Sequence, residues 1–268
     1  MPLIFEPEAL ESHLPDPSLL LVAVCSDRVF NSVHIPGSQL IQPAELVSGE
    51  RPAVGKIPSA ERLTTLFSRV GLCTERHVVA YDDEGGGWAG RLIWTLDVLG
   101  HSKASYLNGG LNAWMAAGYA TTNQPSDSIP TDYRASIDPT QIVQLDEVWQ
   151  QIDSPDSVVW DARAREEYEG RKPTALRNGH IPGAVNLDWL ELMDRDRQLR
   201  LQPLPKVRQR LEALGINAQK SVITHCLTHH RSGLTYLVGK ALGLSIRAYD
   251  GSWAEWGNRH DTPVASVD

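Results

Sequence analysis

Cysteine, methionine and phenylalanine are scarce in this chain of 268 residues, three of each. Three cysteines, Cys25, Cys73 and Cys226, cannot build the disulfide framework of a small secreted scaffold. Long apolar runs are missing too. The longest, Leu19 to Cys25, has seven residues, against the ~20 that a membrane-spanning helix needs. The N-terminus, Met1-Pro2-Leu3-Ile4-Phe5-Glu6, has neither the basic start nor the apolar stretch of a secretory signal. A reducing, cytoplasmic setting without a membrane partner is therefore expected. Positive charge is also short, with 25 Lys and Arg against 33 Asp and Glu, net −8. Nucleic acid, whose phosphates require a basic face, is unsuited as a bulk partner.

What remains is globular: 41% hydrophobic and 22% charged residues sit close to the norm for folded domains. The length allows two domains or one large one. Charge is unevenly spread. Residues 1–140 hold 9 basic and 16 acidic residues, whereas 141–268 hold 16 and 17. A small anion is therefore expected in the C-terminal half.

An internal repeat organises the chain. His34-Ile35-Pro36-Gly37 recurs as His180-Ile181-Pro182-Gly183, at an offset of 146. A short apolar run that reads as a buried strand precedes each copy, Leu19 to Val24 and Ser157 to Trp160. A second such run comes after each, His77 to Tyr81 and Ser221 to His225. Helical stretches come next, from about Trp88 to Leu99 and from about Ser232 to Leu242, each stopped by a glycine, Gly100 or Gly243. A third pair closes the halves, Tyr106 to Trp114 and Tyr249 to Trp256. Alternating strands and helices predict two similar α/β domains, each a mainly parallel sheet flanked by helices. The expected division is residues 1–121, a polar linker over 122–140, and residues 141–268.

The two copies differ at one loop. After the strand ending at His225 comes Cys226-Leu227-Thr228-His229-His230-Arg231-Ser232-Gly233, then a helix. A strand-to-helix turn presents unpaired N–H groups and the positive end of the helix dipole. Those groups stabilise a thiolate at the first loop position, and the adjoining histidines and arginine add positive charge. In the first half the loop reads Tyr81-Asp82-Asp83-Glu84-Gly85-Gly86-Gly87, with Asp82 or Asp83 opposite Cys226. Three acids repel an anion, and no thiol is present.

The other signals have plainer readings. Cys25 and Cys73 read as structural filling. His34 and His180 read as turn braces, since both halves carry them, and Asp161 as a loop hydrogen-bonding residue. The eight tryptophans fill core. His225, Cys226, His229 and His230 lack the second separated Cys/His pair of a structural zinc site, so no metal is expected. A cysteine phosphatase would also close a thiolate loop with arginine. Four residues separate Cys226 from Arg231, a loop better sized for one sulfur atom than for a phosphate group. A Cys-His hydrolase needs a separate oriented histidine that the sequence does not identify. A non-catalytic binding module describes the first half but ignores the intact Cys226 loop.

Taken together, the His-Ile-Pro-Gly pair, Tyr106-Leu107-Asn108-Gly109-Gly110, Trp160-Asp161-Ala162-Arg163, the Cys226 loop and Tyr249-Asp250-Gly251-Ser252-Trp253 resemble the two-domain rhodanese family of sulfurtransferases. The resemblance implies an inactive N-terminal domain, a catalytic C-terminal one and a site near the domain interface. The loop looks most like the Cys-x-Thr-His-His-Arg type of bacterial thiosulfate sulfurtransferases. It departs from the Cys-Gly-Ser-Gly-Val-Thr type associated with 3-mercaptopyruvate. The activity this resemblance implies is sulfane-sulfur transfer from thiosulfate to cyanide or a thiol, a protein cysteine among them, with release of sulfite. Cys226 would carry the persulfide. Leu227, Thr228, His229, His230, Arg231 and Ser232 would bind substrate, with Arg163 and Arg177 reaching in from neighbouring loops. No cofactor is implied.

Overall fold

The structure, a computed structural model, describes residues 1–14, 16–127 and 129–267. Pro15, Ser128 of the expected linker and Asp268 lie outside the described residues. The chain forms two compact units. The first comprises Met1–Val47, Ile57–Asp138 and Met193–Leu201; the second comprises Ser48–Lys56, Pro139–Leu192 and Gln202–Asp268.

In the first unit β1 (Ile4–Phe5), β2 (Leu19–Val24), β3 (Gln39–Ile41), β4 (His77–Tyr81) and β5 (Ala104–Leu107) form a parallel sheet in the order β1-β5-β4-β2-β3. Between them run α1 (Pro7–His13), α2 (Asp27–Ser32), α3 (Ala60–Arg69) and α4 (Gly87–Val98), and α5 (Gly110–Ala116) comes after β5. The second half opens with β6 (Ile142–Val143), α6 (Leu145–Gln151), β7 (Ser157–Asp161), α7 (Arg165–Tyr168) and β8 (Val185–Asn186). The antiparallel ribbon of β9 (Met193–Asp194) and β10 (Arg200–Leu201) belongs to the first unit. Then come α8 (Leu204–Ala213), β11 (Ser221–His225), α9 (Arg231–Ala241), β12 (Ser245–Tyr249) and α10 (Ser252–Trp256). The second sheet, β6-β12-β11-β7-β8, is parallel and repeats the order of the first.

The apolar runs mark the central strands because a parallel sheet is covered on both faces and its middle strands need no polar side. In β2 every residue from Leu20 to Val24 is buried. Strand β7 runs on to Asp161, past the expected end at Trp160. The helices α4 and α9 start and stop one residue earlier than the sequence pattern suggests. Edge strands β1, β6 and β8 have two residues each, too few to show any periodicity. The polar stretch after Tyr119 is bonded along the first unit, Thr131 N–H to Ser68 O at 3.0 Å and Asp138 N–H to Val98 O at 2.9 Å. No helix among the described residues is long and apolar enough to cross a membrane.

The repeated histidines do the same work in both units. Nδ1 of His34 lies 2.7 Å from Phe30 O and Nδ1 of His180 lies 2.8 Å from Tyr168 O. A carbonyl can only accept, so each ring donates. Each also stacks on the aromatic ring whose carbonyl it holds, with centroids 3.8 Å apart.

The turn from β4 to α4 settles which acid stands opposite Cys226. Asp82 comes directly after β4, as Cys226 does after β11, and four residues separate each from its helix. The Asp82 carboxylate is buried and accepts N–H groups from Glu84 at 3.2 Å, Gly85 at 3.1 Å, Gly86 at 2.9 Å and Ala89 at 3.0 Å. This loop is an anion cradle filled by its own side chain. Replacing Asp82 with Ala strands several buried donors, at about 1–3 kcal/mol for each one left unsatisfied. Asp82→Ala should therefore lower the urea midpoint of the protein clearly. Asp82→Asn, which keeps one acceptor oxygen, should lose less.

Candidate functional site

Three elements build the Cys226 loop. Strand β11 lies between β12 and β7 and delivers Cys226 at its C-terminal end, the edge of a parallel sheet where ligands gather. Helix α9 begins at Arg231, so its unpaired N–H groups face the turn. The start of α10 holds the loop from the other side. Trp253 N–H donates to Cys226 O at 3.0 Å and Ala254 N–H to Leu227 O at 2.9 Å. Cys226 N–H reaches Ser252 Oγ at 3.4 Å, and that hydroxyl donates to Tyr249 O at 2.9 Å.

Cys226 is 1% exposed. Burial alone would push its thiol up; Arg231, the hydroxyl and amide of Ser232, and His230 together outweigh it, so the thiol sits below the ordinary cysteine value. Cys25 is the opposite case. Burial, with Asp83 and Asp82 nearby, pushes it up to about 12, and it packs in the core of the first unit. The structure thus separates a thiol shifted toward its charged form from one shifted away from it.

The loop residues divide by position. Arg231 is bound in a fork by Glu167, Nη1 to Oε2 at 2.5 Å and Nη2 to Oε1 at 3.0 Å. His229 is buried, with Nδ1 2.7 Å from Ser232 Oγ. His230 meets the Trp189 ring edge-on, with centroids 5.4 Å apart. Leu227 packs against the core of the second unit. The Thr228 backbone lies against Gly55.

Arg163 and Arg177 stand elsewhere. Arg163 is buried, paired with Asp161 through Nη2–Oδ2 at 2.6 Å and donating to Gly179 O at 2.8 Å. Its guanidinium stacks on the Trp253 ring at 4.4 Å. Arg177 donates to Thr262 O at 2.6 Å, to the Thr262 hydroxyl and to Trp256 O. Both bond to scaffold groups. Among the described residues no three His, Cys, Asp or Glu side chains gather as metal ligands would.

Sequence reasoning missed Glu167, Ser252 and Gly55. Glu167 had a local signal. Its carboxylate accepts Ala164 N–H at 3.3 Å, and an acid three residues into a helix is the expected partner for the N-cap amide. Its second partner, Arg231, is 64 residues away, beyond local pattern.

Two parallel α/β units carry the same strand-to-helix turn, one holding an aspartate and the other a cysteine. That is a duplicated α/β protein in which one copy of this turn bears a thiol. A family model described as a rhodanese-like domain matches residues 6–117 and again 144–259. The thiosulfate sulfurtransferase of Azotobacter vinelandii is 44% identical over 98% of this chain and 97% of its own. That of Pseudomonas aeruginosa is 43% identical over the same shares. The sulfur carrier protein TtuD of Thermus thermophilus is 30% identical over 96% and 94%. The anaerobic ergothioneine biosynthesis enzyme of Chlorobium limicola, solved with trimethyl histidine, shares the fold, with a TM-score of 0.86 at 21% identity, covering 99% of this chain and 70% of its own. The chain belongs to the rhodanese family.

The Arg231–Glu167 pair is a largely buried ion pair that mutation can break from one side. Glu167→Ala leaves a largely buried guanidinium without its partner, at about 3 kcal/mol, which urea denaturation would read. Burial pushes the Glu167 carboxyl up, but hydrogen bonding and charge from Arg231, with Arg163, hold it below the ordinary value. The pair's contribution is therefore full above the ordinary glutamate range and is lost as pH falls through the depressed value. The stability gap between wild type and Glu167→Ala should close over that acidic interval.

Proposed function

We propose that this chain is a thiosulfate sulfurtransferase working through Cys226. The observation that carries the reading is the paired loops. One cradle is filled by the Asp82 carboxyl group, which burial and Glu84 push up to about 6, and its counterpart holds a cysteine whose thiol is shifted toward the thiolate. A site shaped to keep a negative charge on a sulfur suits a persulfide. Thiosulfate as donor rests on the full-length relatives.

The reaction divides into two balanced steps. The Cys226 thiolate attacks the outer sulfur of thiosulfate; the new S–S bond takes that sulfur, and the electron pair of the broken S–S bond leaves with sulfite. The enzyme now carries Cys226–S–S⁻. Cyanide, or a thiolate, then attacks the terminal sulfur and departs as thiocyanate or a persulfide, returning the Cys226 thiolate. No net proton or electron enters. The two half-steps imply ping-pong kinetics.

The surrounding groups take distinct parts. Loop N–H groups hold the charged sulfur, as an oxyanion hole holds oxygen. Arg231, fixed by Glu167, supplies long-range charge to Cys226. His230, part-exposed at the head of α9, adds a donor for the sulfonate end of thiosulfate. Arg163 and Arg177 hold scaffold, and substrate is not routed through them. A phosphatase reading fits less well, because the arginine that would grip phosphate is already forked onto a carboxylate.

Two experiments test this reading. Intact mass after exposure to thiosulfate should rise by one sulfur atom, fall back on adding cyanide, and stay unchanged in Cys226→Ser. A wild type that gains no sulfur from thiosulfate or 3-mercaptopyruvate sinks the proposal. Arg231→Ala removes the largest charge acting on the sulfur and should reduce kcat/KM for thiosulfate about 100-fold. Cys73→Ser should leave it at the wild-type value, and equal losses in both would count against this site.

A further inference from the structure

The arm Ser48–Lys56 is drawn from the first half of the sequence yet belongs to the compact unit that holds the Cys226 loop. It is closed on itself, Ser48 N–H to Lys56 O at 2.7 Å and Gly49 N–H to Val54 O at 3.0 Å. Lys56 anchors it to Glu255 of α10 at 2.6 Å, and Tyr249 donates to the other oxygen of that carboxylate at 2.8 Å. Gly55 is buried where the arm meets the loop. A Cβ there would stand 2.1 Å from Thr228 O, 2.5 Å from Thr228 C and 2.7 Å from its Cα. All three are backbone atoms, so no flexible side chain can yield.

Peptide geometry then fixes where the loop's donors point. In a trans peptide the C=O and N–H point in opposite directions. The carbonyls of Cys226 and Leu227 are taken by Trp253 and Ala254 N–H, and the Thr228 carbonyl is pressed against Gly55. Three consecutive carbonyls are thus turned to the loop's outside, and the N–H groups of Leu227, Thr228 and His229 are turned the other way.

The first unit displays the same logic with its occupant in place. There Leu111 N–H takes Asp82 O at 2.9 Å and the Asn112 side chain takes Asp83 O at 2.8 Å. The N–H groups of Glu84, Gly85 and Gly86 turn inward onto the Asp82 carboxylate. Its arm, Met193–Leu201, stands against Gly85 through Met193 and Leu199, close to the repeat offset from Ser48–Lys56.

We propose that Gly55 is a positioning residue for the reaction: it is the backstop of the Thr228–His229 peptide, keeping the His229 N–H turned in toward the sulfur carried by Cys226. The inference rests on the proposed persulfide chemistry for its kinetic readout but not for its thiol readout. A side chain at position 55 pushes the peptide forward, misaligns one donor and weakens the hold on negative sulfur.

The test uses the full chain and three forms: wild type, Gly55→Ala, and Lys56→Gln, which frees the arm's anchor without adding bulk. The first readout is the pH profile of Cys226 alkylation by iodoacetamide, tracked by peptide mass. The second is the rate of sulfur loading from thiosulfate. Gly55→Ala should move the profile to higher pH and slow loading about 10- to 100-fold. Lys56→Gln should shift both in the same direction by less. A merely structural role would lower the melting temperature and leave the profile in place. Profiles that coincide with wild type in Gly55→Ala, or in Lys56→Gln should the first variant fail to fold, overturn the inference. A wild type that alkylates normally but takes no sulfur sinks the proposed function instead, and the profile shift still decides the role of Gly55.

Discussion

The cost of placing negative charge on a buried sulfur is the constraint on which the proposed chemistry of the second unit depends. Water stabilises a thiolate; a sulfur at 1% exposure has none, and desolvation is the largest single influence on Cys226. The fold must replace solvent with fixed dipoles and charge. A parallel sheet does this cheaply, because every strand ends at the same edge and the next helix begins there with unpaired N–H groups. The short helix α10 then takes the carbonyls of Cys226 and Leu227, which turns the N–H groups of Leu227 and Thr228 the opposite way. Arg231 adds charge at one side of the turn.

The Glu167 fork changes what Arg231 can do. A free guanidinium would be a natural clamp for the sulfonate of thiosulfate. Bound at 2.5 and 3.0 Å to one carboxylate, it has its planar edge occupied and its position fixed. Its field still reaches the sulfur, since the charge of Glu167 offsets it only in part at Cys226. The arginine is thereby better suited to hold the thiolate than to grasp the donor. This also reconciles the chain's acidity with an anionic substrate. Net charge of −8 governs the distant field, whereas a few oriented groups govern the turn.

Much of this was legible in the sequence. The central strands announce themselves because both their faces are apolar, and the two halves reinforce one another through the His-Ile-Pro-Gly repeat. Cys226 stood out as a thiol at a strand end ahead of cationic side chains, opposite a run of acids. What escaped is what sequence distance hides. Two-residue edge strands such as β6 carry no period. Glu167 meets Arg231 across 64 residues, and Gly55 meets Thr228 across more of the chain. Arg163 and Arg177 drew notice as cations near repeated motifs, but a cation's sign says nothing about its partner. Asp161 and the Thr262 carbonyl hold their side chains.

The two loops also differ in their backbone conformation. The β4–α4 loop of the first unit uses glycine at both of its left-handed positions, Gly85 and Gly86, each at φ 102°. Only glycine adopts that conformation freely, and the cradle closes on the Asp82 side chain. The second unit places His229 at φ 54°, a conformation that costs a side-chain-bearing residue about 1–2 kcal/mol. Glycine there would relieve the strain but would delete the imidazole that bonds Ser232 Oγ at 2.7 Å. That hydroxyl is one of the groups holding Cys226 toward its charged form. The strain is therefore tied to the function of the turn. The carboxylate cradle needs donors alone, whereas the proposed loading and unloading of the Cys226 sulfur calls for donors whose side chains also tune it.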